Sequence, residues 1–239
     1  MRIQIQFPTL GRPVKFLDCF AKYINLASLK HQLFFNINCD LADQSMNNGN
    51  VVVDIQNIML ARQRPDVLKG KLYFDSNTEK ISAINDHIDP NTFDVIVVAS
   101  DDMVPQVEGW DDEIARAMEA NFPNLDGCVY FDDGYQHKKL ITFSILGREL
   151  YNQFGYIYHP DYKSLYCDNE FTIEVQRMNK VAFVDKCIIK HEHYSEAGNS
   201  NSGDFDTCAE KTLQFSGRDG AVFKERQRLG FPKERITND

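Results

Sequence analysis

The sequence predicts an α/β fold, with a central, mostly parallel sheet, helices on both faces and a mixed second half. One observation is the alternation of strand-like and helix-like segments through residues 3–99. Another is the unbroken apolar run at residues 95–99, which is typical of a strand buried on both faces. The third is composition, because hydrophobic residues make up 43% of the 239 and suffice for one large core.

The first half of the chain begins with Ile3, Ile5 and Phe7, which alternate with polar residues and predict a strand. Pro13 suits the first turn of the helix that follows, whose apolar residues recur at three- and four-residue spacing. A second strand follows over residues 33–37 and stops at Asp40. The remaining segments keep the same rhythm, with a helix around 52–59, a strand around 72–74, a helix over 78–87 and a strand at 95–99.

The second half begins with an amphipathic helix at residues 110–121 and becomes mixed after Gly127. No linker rich in proline, glycine and serine divides the chain, so we expect one domain over residues 1–239. The predicted elements of this half are strands near residues 128–131, 140–143, 181–184 and 188–191 and helices near 148–154 and 169–178.

The charge and cysteine content restrict the class of protein. The formal net charge is −9, which argues against a broad basic face for nucleic acid and against binding to an anionic membrane surface. No run approaches ~18 apolar residues, and the first residues lack the pattern of a cleavable leader. The 6 cysteines form no Cys-x-x-Cys pair. We therefore expect a cytoplasmic protein with reduced thiols, and the sequence leaves the oligomeric state open.

Polar residues follow the predicted strands at the point where each strand ends. Thr9 and Arg12 follow the first strand, Asp40 the second, and Ser100-Asp101-Asp102 the strand at residues 95–99. Because ligands of open α/β sheets bind beyond the carboxyl ends of the strands, these residues predict one polar cleft. An acidic pair there suits a divalent cation that shares its oxygen ligands with a diphosphate.

Several common nucleotide and hydrolase motifs are missing from the sequence. There is no Gly-x-Gly-x-x-Gly after the first strand and no Gly-x-x-x-x-Gly-Lys-Ser/Thr anywhere, which disfavours a Rossmann dehydrogenase and a phosphate-loop ATPase. There is also no Gly-x-Ser-x-Gly nucleophile motif.

A series of short motifs resembles the family-2-like glycosyltransferases with the GT-A fold, a Rossmann-like architecture, over residues 3 to 230. In order, the motifs are Pro8-Thr9 with Gly11-Arg12-Pro13, Asp40, Lys80-x-x-Ala83-x-Asn85, Ser100-Asp101-Asp102, Gly109-Trp110-Asp111, Gly147-Arg148, Phe154-Gly155, Tyr166-Cys167-Asp168-Asn169-Glu170 and His191-Glu192-His193. The main departure is Ser100, which stands where the family's Asp-x-Asp metal motif has its first aspartate.

The resemblance implies an inverting transferase that moves a sugar from a nucleoside diphosphate, with uridine diphosphate favoured, to a hydroxyl acceptor such as a glycan. It implies Mn²⁺ or Mg²⁺ as cofactor and Asp168 as the general base, with Glu170 as the next candidate. It divides the domain into a nucleotide-binding half (1–102), an acceptor and catalytic half (103–204) and a C-terminal helical segment (205–239). The implied donor-contacting residues are Pro8, Thr9, Arg12, Asp40, Lys80, Asn85, Ser100 and Asp101, and the implied metal ligands are Asp102 with His191 or His193.

Two alternatives remain open from the sequence. A sugar nucleotidyltransferase also binds a nucleotide beyond the first strand, although its first turn is usually richer in glycine than the turn around Gly11. A degenerate fold that only binds nucleotide sugars or glycans is favoured by Ser100 and disfavoured by the presence of Asp102 and Asp168. The C-terminal stretch from Lys211 onward is net positive, which suits either a solvated helix or a flap that brings charge to a diphosphate.

Overall fold

The computed structural model of the chain describes residues 1–76, 79–192 and 207–234. Its first half alternates strands with helices, and the strands of this half lie parallel to one another in the sheet. The elements are β1 (Arg2–Thr9), α1 (Pro13–Asn25), β2 (Gln32–Asp40), α2 (Gly49–Leu60), β3 (Leu68–Asp75), α3 (Lys80–Asn85) and β4 (Val95–Val98). This rhythm is the one that the apolar periodicity predicts.

The second half completes the sheet and adds a small second sheet. Its elements are β5 (Met103–Pro105), α4 (Trp110–Asn121), β6 (Cys128–Phe131), a 3₁₀ turn (His137–Lys139), β7 (Ile145–Gly147), α5 (Arg148–Phe154), α6 (Cys167–Arg177), β8 (Val181–Val184), β9 (Ile189–His191), α7 (Thr207–Leu213) and α8 (Ser216–Arg228). The main sheet has seven strands in the order β3-β2-β1-β4-β7-β6-β8, with β7 antiparallel to both β4 and β6. Strands β5 and β9 pair antiparallel by themselves. The predicted fold class is therefore confirmed.

The strand predicted near residues 140–143 is wrong, because that stretch is a loop and the strand is β7. The main-chain N–H of Ile141 donates to the hydroxyl of Thr172 at 3.1 Å, and the hydroxyl of Thr142 donates to Asp133 at 2.7 Å. The main-chain N–H of Ile141 therefore bonds to a side chain, where a strand would have bonded to a neighbouring strand. The short strand β5 was not predicted, since three residues carry too little periodicity to detect.

An aromatic cluster fills the core between β1, β2 and the helices α1 and α4. Phe7 contacts Phe16 and Tyr23 edge-on, with ring centroids 5.0 and 5.6 Å apart. Trp110 contacts Tyr23 at 5.2 Å and donates its indole N–H to the Tyr23 carbonyl at 3.0 Å, so its polar atom is satisfied inside the core. This packing holds β1, and the turn that follows it, in a fixed position.

The opposite face of β1 and β2 carries buried carboxamides instead of apolar groups. We call Gln4, Gln6, Asn36 and Asn38 the amide ladder; all four are buried and share one face because strand side chains alternate. Three of them donate to main-chain carbonyls of α3 and the turn after it: Gln6 to Asp86 (3.0 Å), Asn36 to His87 (2.8 Å) and Asn38 to Ala83 (2.9 Å). The ladder therefore fixes α3 on the sheet.

Replacing Asn36 with leucine is expected to lower the free energy of unfolding by about 1–3 kcal/mol, because the His87 carbonyl loses its buried donor. Urea unfolding checks the loss, and faster amide hydrogen exchange in residues 83–87 checks its location. Gln44→Leu, at an exposed position, is the control. A fully stable Asn36→Leu protein with unchanged exchange would contradict the anchoring role of the ladder.

No helix within the described residues is both long and apolar enough to cross a membrane.

Candidate functional site

A cavity of about 240 Å³ lies beyond the carboxyl ends of β1, β2 and β4. Its position is the one expected for ligands of open α/β sheets. Most of the site residues predicted from the sequence line it, namely Pro8, Thr9, Arg12, Asp40, Lys80, Ser100, Asp101, Asp102, Asp168 and His191. The fold therefore brings residues from both halves of the chain to one cleft.

One predicted site residue, Asn85, does not line this cavity. Asn85 accepts hydrogen bonds from the N–H groups of Ile157 (2.9 Å) and Tyr158 (3.3 Å) and donates to the Tyr158 carbonyl (2.6 Å), so its carboxamide is used in joining α3 to the second half. His193 lies outside the described residues.

The turn after β1 brings Arg12 against the acidic pair. Gly11 has a φ of 69°, which glycine adopts without strain, and its N–H donates to Asp43 at 2.6 Å. Arg12 Nη1 donates to Asp101 Oδ1 at 3.0 Å. Burial raises the pKa of Asp101, the negative charge of Asp102 adds to the effect, and Arg12 opposes it, giving a pKa of about 6.

Asp102 faces His191 because Asp102 directly precedes β5, whose first residue pairs with His191 at the end of β9. Met103 is the register partner of His191, and Asp102 Oδ2 lies 3.7 Å from His191 Nε2. Ser100 donates its hydroxyl to the other carboxylate oxygen of Asp102. Burial alone would raise the pKa of Asp102, but His191, Lys80 and the Ser100 hydroxyl together outweigh it and hold the pKa well below the usual range.

A second carboxylate, Asp133, lies on the other side of the His191 ring, 3.8 Å from Nδ1. Asp133 accepts N–H groups from residues 135–137 at 2.8 to 2.9 Å, which fixes its position in a tight turn. Burial lowers the pKa of His191, but the two flanking carboxylates raise it to about 9. The ring is therefore oriented by a carboxylate that the sequence analysis did not single out, and no motif in the sequence marks it.

The residues present fit a divalent cation that is completed by substrate. Asp102 and His191 offer one carboxylate and one imidazole, a donor set that Mn²⁺ accepts, and Mg²⁺ takes one or two protein ligands together with phosphate oxygens. Within the part of the chain that the structure describes, no cluster of three acidic, histidine or cysteine side chains forms a complete protein site. Such a pair would hold a metal together with a bound diphosphate.

Asp168 lies at the start of α6 on another wall of the same cavity. Its carboxylate accepts the N–H of Asn169 at 2.9 Å, as expected for an acid in the first helical turn. Burial raises the pKa of Asp168, and Lys80 opposes that effect. Glu170, the alternative base, is instead held in an ion pair on the other side of α6.

That ion pair belongs to a buried network that joins α8 to α6. Arg226 is 0% exposed and donates to both carboxylate oxygens of Glu170 at 2.8 Å and to Asp161 at 3.1 Å. Tyr162 also donates to Glu170, at 2.7 Å. The sequence did not predict this network, because an arginine in a helix rich in charged residues is usually exposed to solvent.

Asp219 on α8 holds a loop that forms part of the cavity wall. Its carboxylate accepts the N–H groups of Lys163 (3.2 Å), Ser164 (2.8 Å) and Leu165 (2.9 Å), and Ser164 and Leu165 line the cavity. Lys211 on α7 lies 3.6 Å from Asp40. The C-terminal helices therefore form one side of the site.

Comparison with known proteins supports this description of the fold. No protein-family model matches the chain, and no curated protein matches it in sequence. Among solved structures, it is similar to the mannosyltransferase PcManGT from Pyrobaculum calidifontis in complex with GDP-Man and Mn²⁺, with a TM-score of 0.61 and 13% identity, over 82% of this chain and 58% of that one. It is also similar to residues 1–349 of TarS from S. aureus in complex with UDP, with a TM-score of 0.56 and 12% identity, over 80% and 60% of the two chains.

At these identities the similarity establishes architecture, and the chain spans less than two thirds of either relative. The strand order, the position of the cavity and the two structural matches all indicate the same fold. The chain therefore has the GT-A fold of the nucleotide-diphospho-sugar transferases, as the sequence motifs predicted.

Proposed function

We propose that the protein is a metal-dependent, inverting glycosyltransferase that uses a nucleoside diphosphate sugar and a hydroxyl acceptor. The observation that carries this proposal is the arrangement of one cavity, in which Asp102 and His191 face each other and the separate carboxylate of Asp168 lies on another wall. A cation-binding pair and an independent base are the two functions that such a transfer needs.

The first half of the chain would bind the donor. Thr9, Arg12 and Asp40 lie at the ends of β1 and β2, where the nucleoside of a uridine diphosphate sugar would contact them. Lys80 lies at the start of α3 and brings a positive charge to the same cavity, which suits the diphosphate. Asp101 is neutralised by Arg12 and so places little negative charge beside the donor.

Asp102 and His191 would hold Mn²⁺ or Mg²⁺ together with the diphosphate oxygens. When bound, the cation neutralises the charge that develops on the leaving diphosphate. Asp133 keeps the His191 ring in place, since the ring lies between Asp133 and Asp102.

Asp168 would remove the acceptor proton. As the acceptor oxygen forms its bond to the anomeric carbon, the bond from that carbon to the diphosphate oxygen breaks and the electron pair leaves with the diphosphate. The proton of the acceptor hydroxyl passes to Asp168. Attack in line with the leaving group inverts the configuration at the anomeric carbon. The raised pKa of Asp168 makes it a stronger base than an exposed aspartate.

An Asp102→Ala variant is expected to lose the metal-dependent part of uridine diphosphate binding, because only one side chain of the facing pair remains. Titration calorimetry of the wild type and the variant, each in millimolar Mn²⁺ and in chelator, measures that part directly. Glu119→Ala, which removes an exposed acid from α4, is the control for charge. Equal uridine diphosphate affinity of the wild type in Mn²⁺ and in chelator would rule out the metal-dependent mechanism.

The reaction class is tested by supplying a panel of nucleotide sugars with glycan acceptors in Mn²⁺ and detecting product by mass spectrometry. Transfer with release of nucleoside diphosphate supports the proposal. Formation of a nucleotide sugar from a nucleoside triphosphate and a sugar phosphate, with release of pyrophosphate, would show a nucleotidyltransferase instead. Binding of nucleotide sugar without either reaction would show a binding module.

A further inference from the structure

The residues just before α6 form a turn with an unusual backbone conformation. We call residues 163–166 the α6 turn. Its last residue, Tyr166, has a φ of 63°, in the left-handed region that bulky side chains rarely adopt. Such a conformation costs free energy and persists only where the surrounding structure holds it. The contacts that hold the turn therefore also set the direction in which α6 begins, and with it the position of Asp168 in the first helical turn.

One carboxylate of α8 holds the first three residues of the α6 turn. Asp219 is 0% exposed, and its Oδ2 accepts the N–H groups of Ser164 at 2.8 Å and Leu165 at 2.9 Å. The N–H of Lys163 lies 3.2 Å from each of the two carboxylate oxygens. A carboxylate can accept all of these bonds because it has no hydrogen of its own and several lone pairs. Successive N–H groups converge on one point only where the chain curves around it, so Asp219 fixes the curvature of the turn.

The ring of Tyr166 packs on the same face of α8. It stacks on Phe223, with ring centroids 5.9 Å apart and an angle of 27° between the planes. Gly220 lies against the same ring, since a Cβ at that position would come within 3.5 Å of it. Residues three and four apart share one side of a helix. Asp219, Gly220 and Phe223 therefore form a single surface of α8 that supports the whole α6 turn.

α8 is a fixed support because its other end is anchored separately. Arg226 donates to both carboxylate oxygens of Glu170 on α6, each at 2.8 Å. From α3, the N–H of Ile81 donates to the Lys163 carbonyl at 3.2 Å. The α6 turn is therefore held between α8 and α3, through contacts that do not use the carboxylate of Asp168.

The turn and the start of α6 together form a wall of the first cavity, which Ser164, Leu165, Cys167 and Asp168 line. We propose that Asp219 is a positioning residue for Asp168, because it holds the α6 turn in the conformation that places the base in the cavity. This inference rests on the proposed function and deepens it by adding a buried residue outside the cavity lining. A base acts only within hydrogen-bond reach of the proton that it takes, so a small displacement lowers the rate without weakening donor binding.

Asp219→Asn is expected to lower kcat about tenfold and to change the dissociation constant of uridine diphosphate in Mn²⁺ less than about twofold. Asparagine keeps the volume but has a single acceptor oxygen, so it cannot receive every N–H group of the turn. Amide hydrogen exchange of residues 163–168 should become faster. Asp219→Ala, which removes every acceptor, should lower kcat further, and Asp219→Asn carries the test if the alanine variant fails to fold.

Two controls separate positioning from a general loss of stability or charge. Ile24→Val removes one methylene from the buried face of α1 and should destabilise the protein without changing kcat. Glu225→Gln makes the same acid-to-amide change on α8, at a side chain that is 43% exposed, and should change neither kcat nor the exchange of residues 163–168.

A readout that needs no turnover is the titration of the Asp168 carboxyl group by NMR in chelator. Burial raises the pKa of Asp168, while the positive charges of Lys80 and His191 oppose that effect. If Asp219→Asn lets the start of α6 move toward solvent, the pKa of Asp168 should fall toward the ordinary value of an aspartate. The Glu225→Gln protein should keep the raised pKa.

Three results would overturn the inference: a kcat of Asp219→Asn no lower than that of Ile24→Val, a lower kcat with unchanged exchange in residues 163–168, or donor affinity that falls in step with kcat. If the wild type transfers no sugar, the transferase proposal fails by itself. The titration of Asp168 then decides the positioning role, which a lower pKa in Asp219→Asn supports and an unchanged pKa overturns.

Discussion

Asp168→Asn is expected to lower kcat about 100-fold or more while leaving the affinity for the donor nearly unchanged. Asparagine keeps the size of the side chain and can still accept the Asn169 N–H, but it cannot take a proton from the acceptor. Because the change removes an interaction needed only in the transition state, kcat should fall without a matching rise in the dissociation constant of uridine diphosphate.

Steady-state transfer assays and calorimetric titration of the same samples separate these two effects. The pH profile adds a second readout: the base must be deprotonated to act, so kcat/KM of the wild type should fall as the pH drops through the raised pKa of Asp168. Glu119→Gln, at an exposed position on α4, should change neither readout. If Asp168→Asn keeps most of its turnover, Asp168 is not the base. Glu170 is then a poor substitute, because Arg226 occupies both of its oxygens.

Arg226→Met is expected to lower the free energy of unfolding by about 3–5 kcal/mol, because it leaves Glu170 and Asp161 without their buried partner. Methionine keeps much of the volume of the side chain, so the loss of stability comes from the broken charge network more than from a cavity. Urea unfolding followed by circular dichroism measures it.

Arg228→Met is the matched control for this network. Arg228 lies two residues further along α8, but its side chain is 67% exposed and, among the described residues, it pairs with Glu225 alone, so its replacement should have little effect. The double variant Arg226→Met with Glu170→Gln should recover part of the stability, since it removes one of the unpaired charges. An Arg226→Met protein as stable as Arg228→Met would show that the buried network contributes nothing.

The part of the site that the sequence predicted is the part that follows from local pattern. Thr9, Arg12 and Asp101 come together because parallel strands end at the same edge of a sheet, and the apolar periodicity located those ends. Once β1 and β4 were recognised, the cleft required no knowledge of distant contacts. The placement of His191 and Asp168 was implied by the resemblance alone.

The parts that the sequence did not predict depend on contacts between distant segments. Asp133 was not singled out because its partner, His191, is brought to it only by β9. Arg226 was taken as part of a basic C-terminal stretch because nothing in the neighbouring residues distinguishes a buried arginine from a solvated one. Asn85 matched a motif, yet its carboxamide is used by the main chain of residues 157 and 158, which no local pattern shows.

The pairing of β5 with β9 also sets the order in which the site can form. Met103 is matched with His191, so the two candidate cation ligands are brought together across most of the second half of the chain. Contacts between residues so far apart close a long loop, and such contacts slow folding because the entropy of closure must be overcome before they form. During synthesis the parallel strands of the first half leave the ribosome long before β9 does. If Asp102 and His191 hold a cation as proposed, cation-dependent nucleotide binding would report that the chain has folded at least as far as His191.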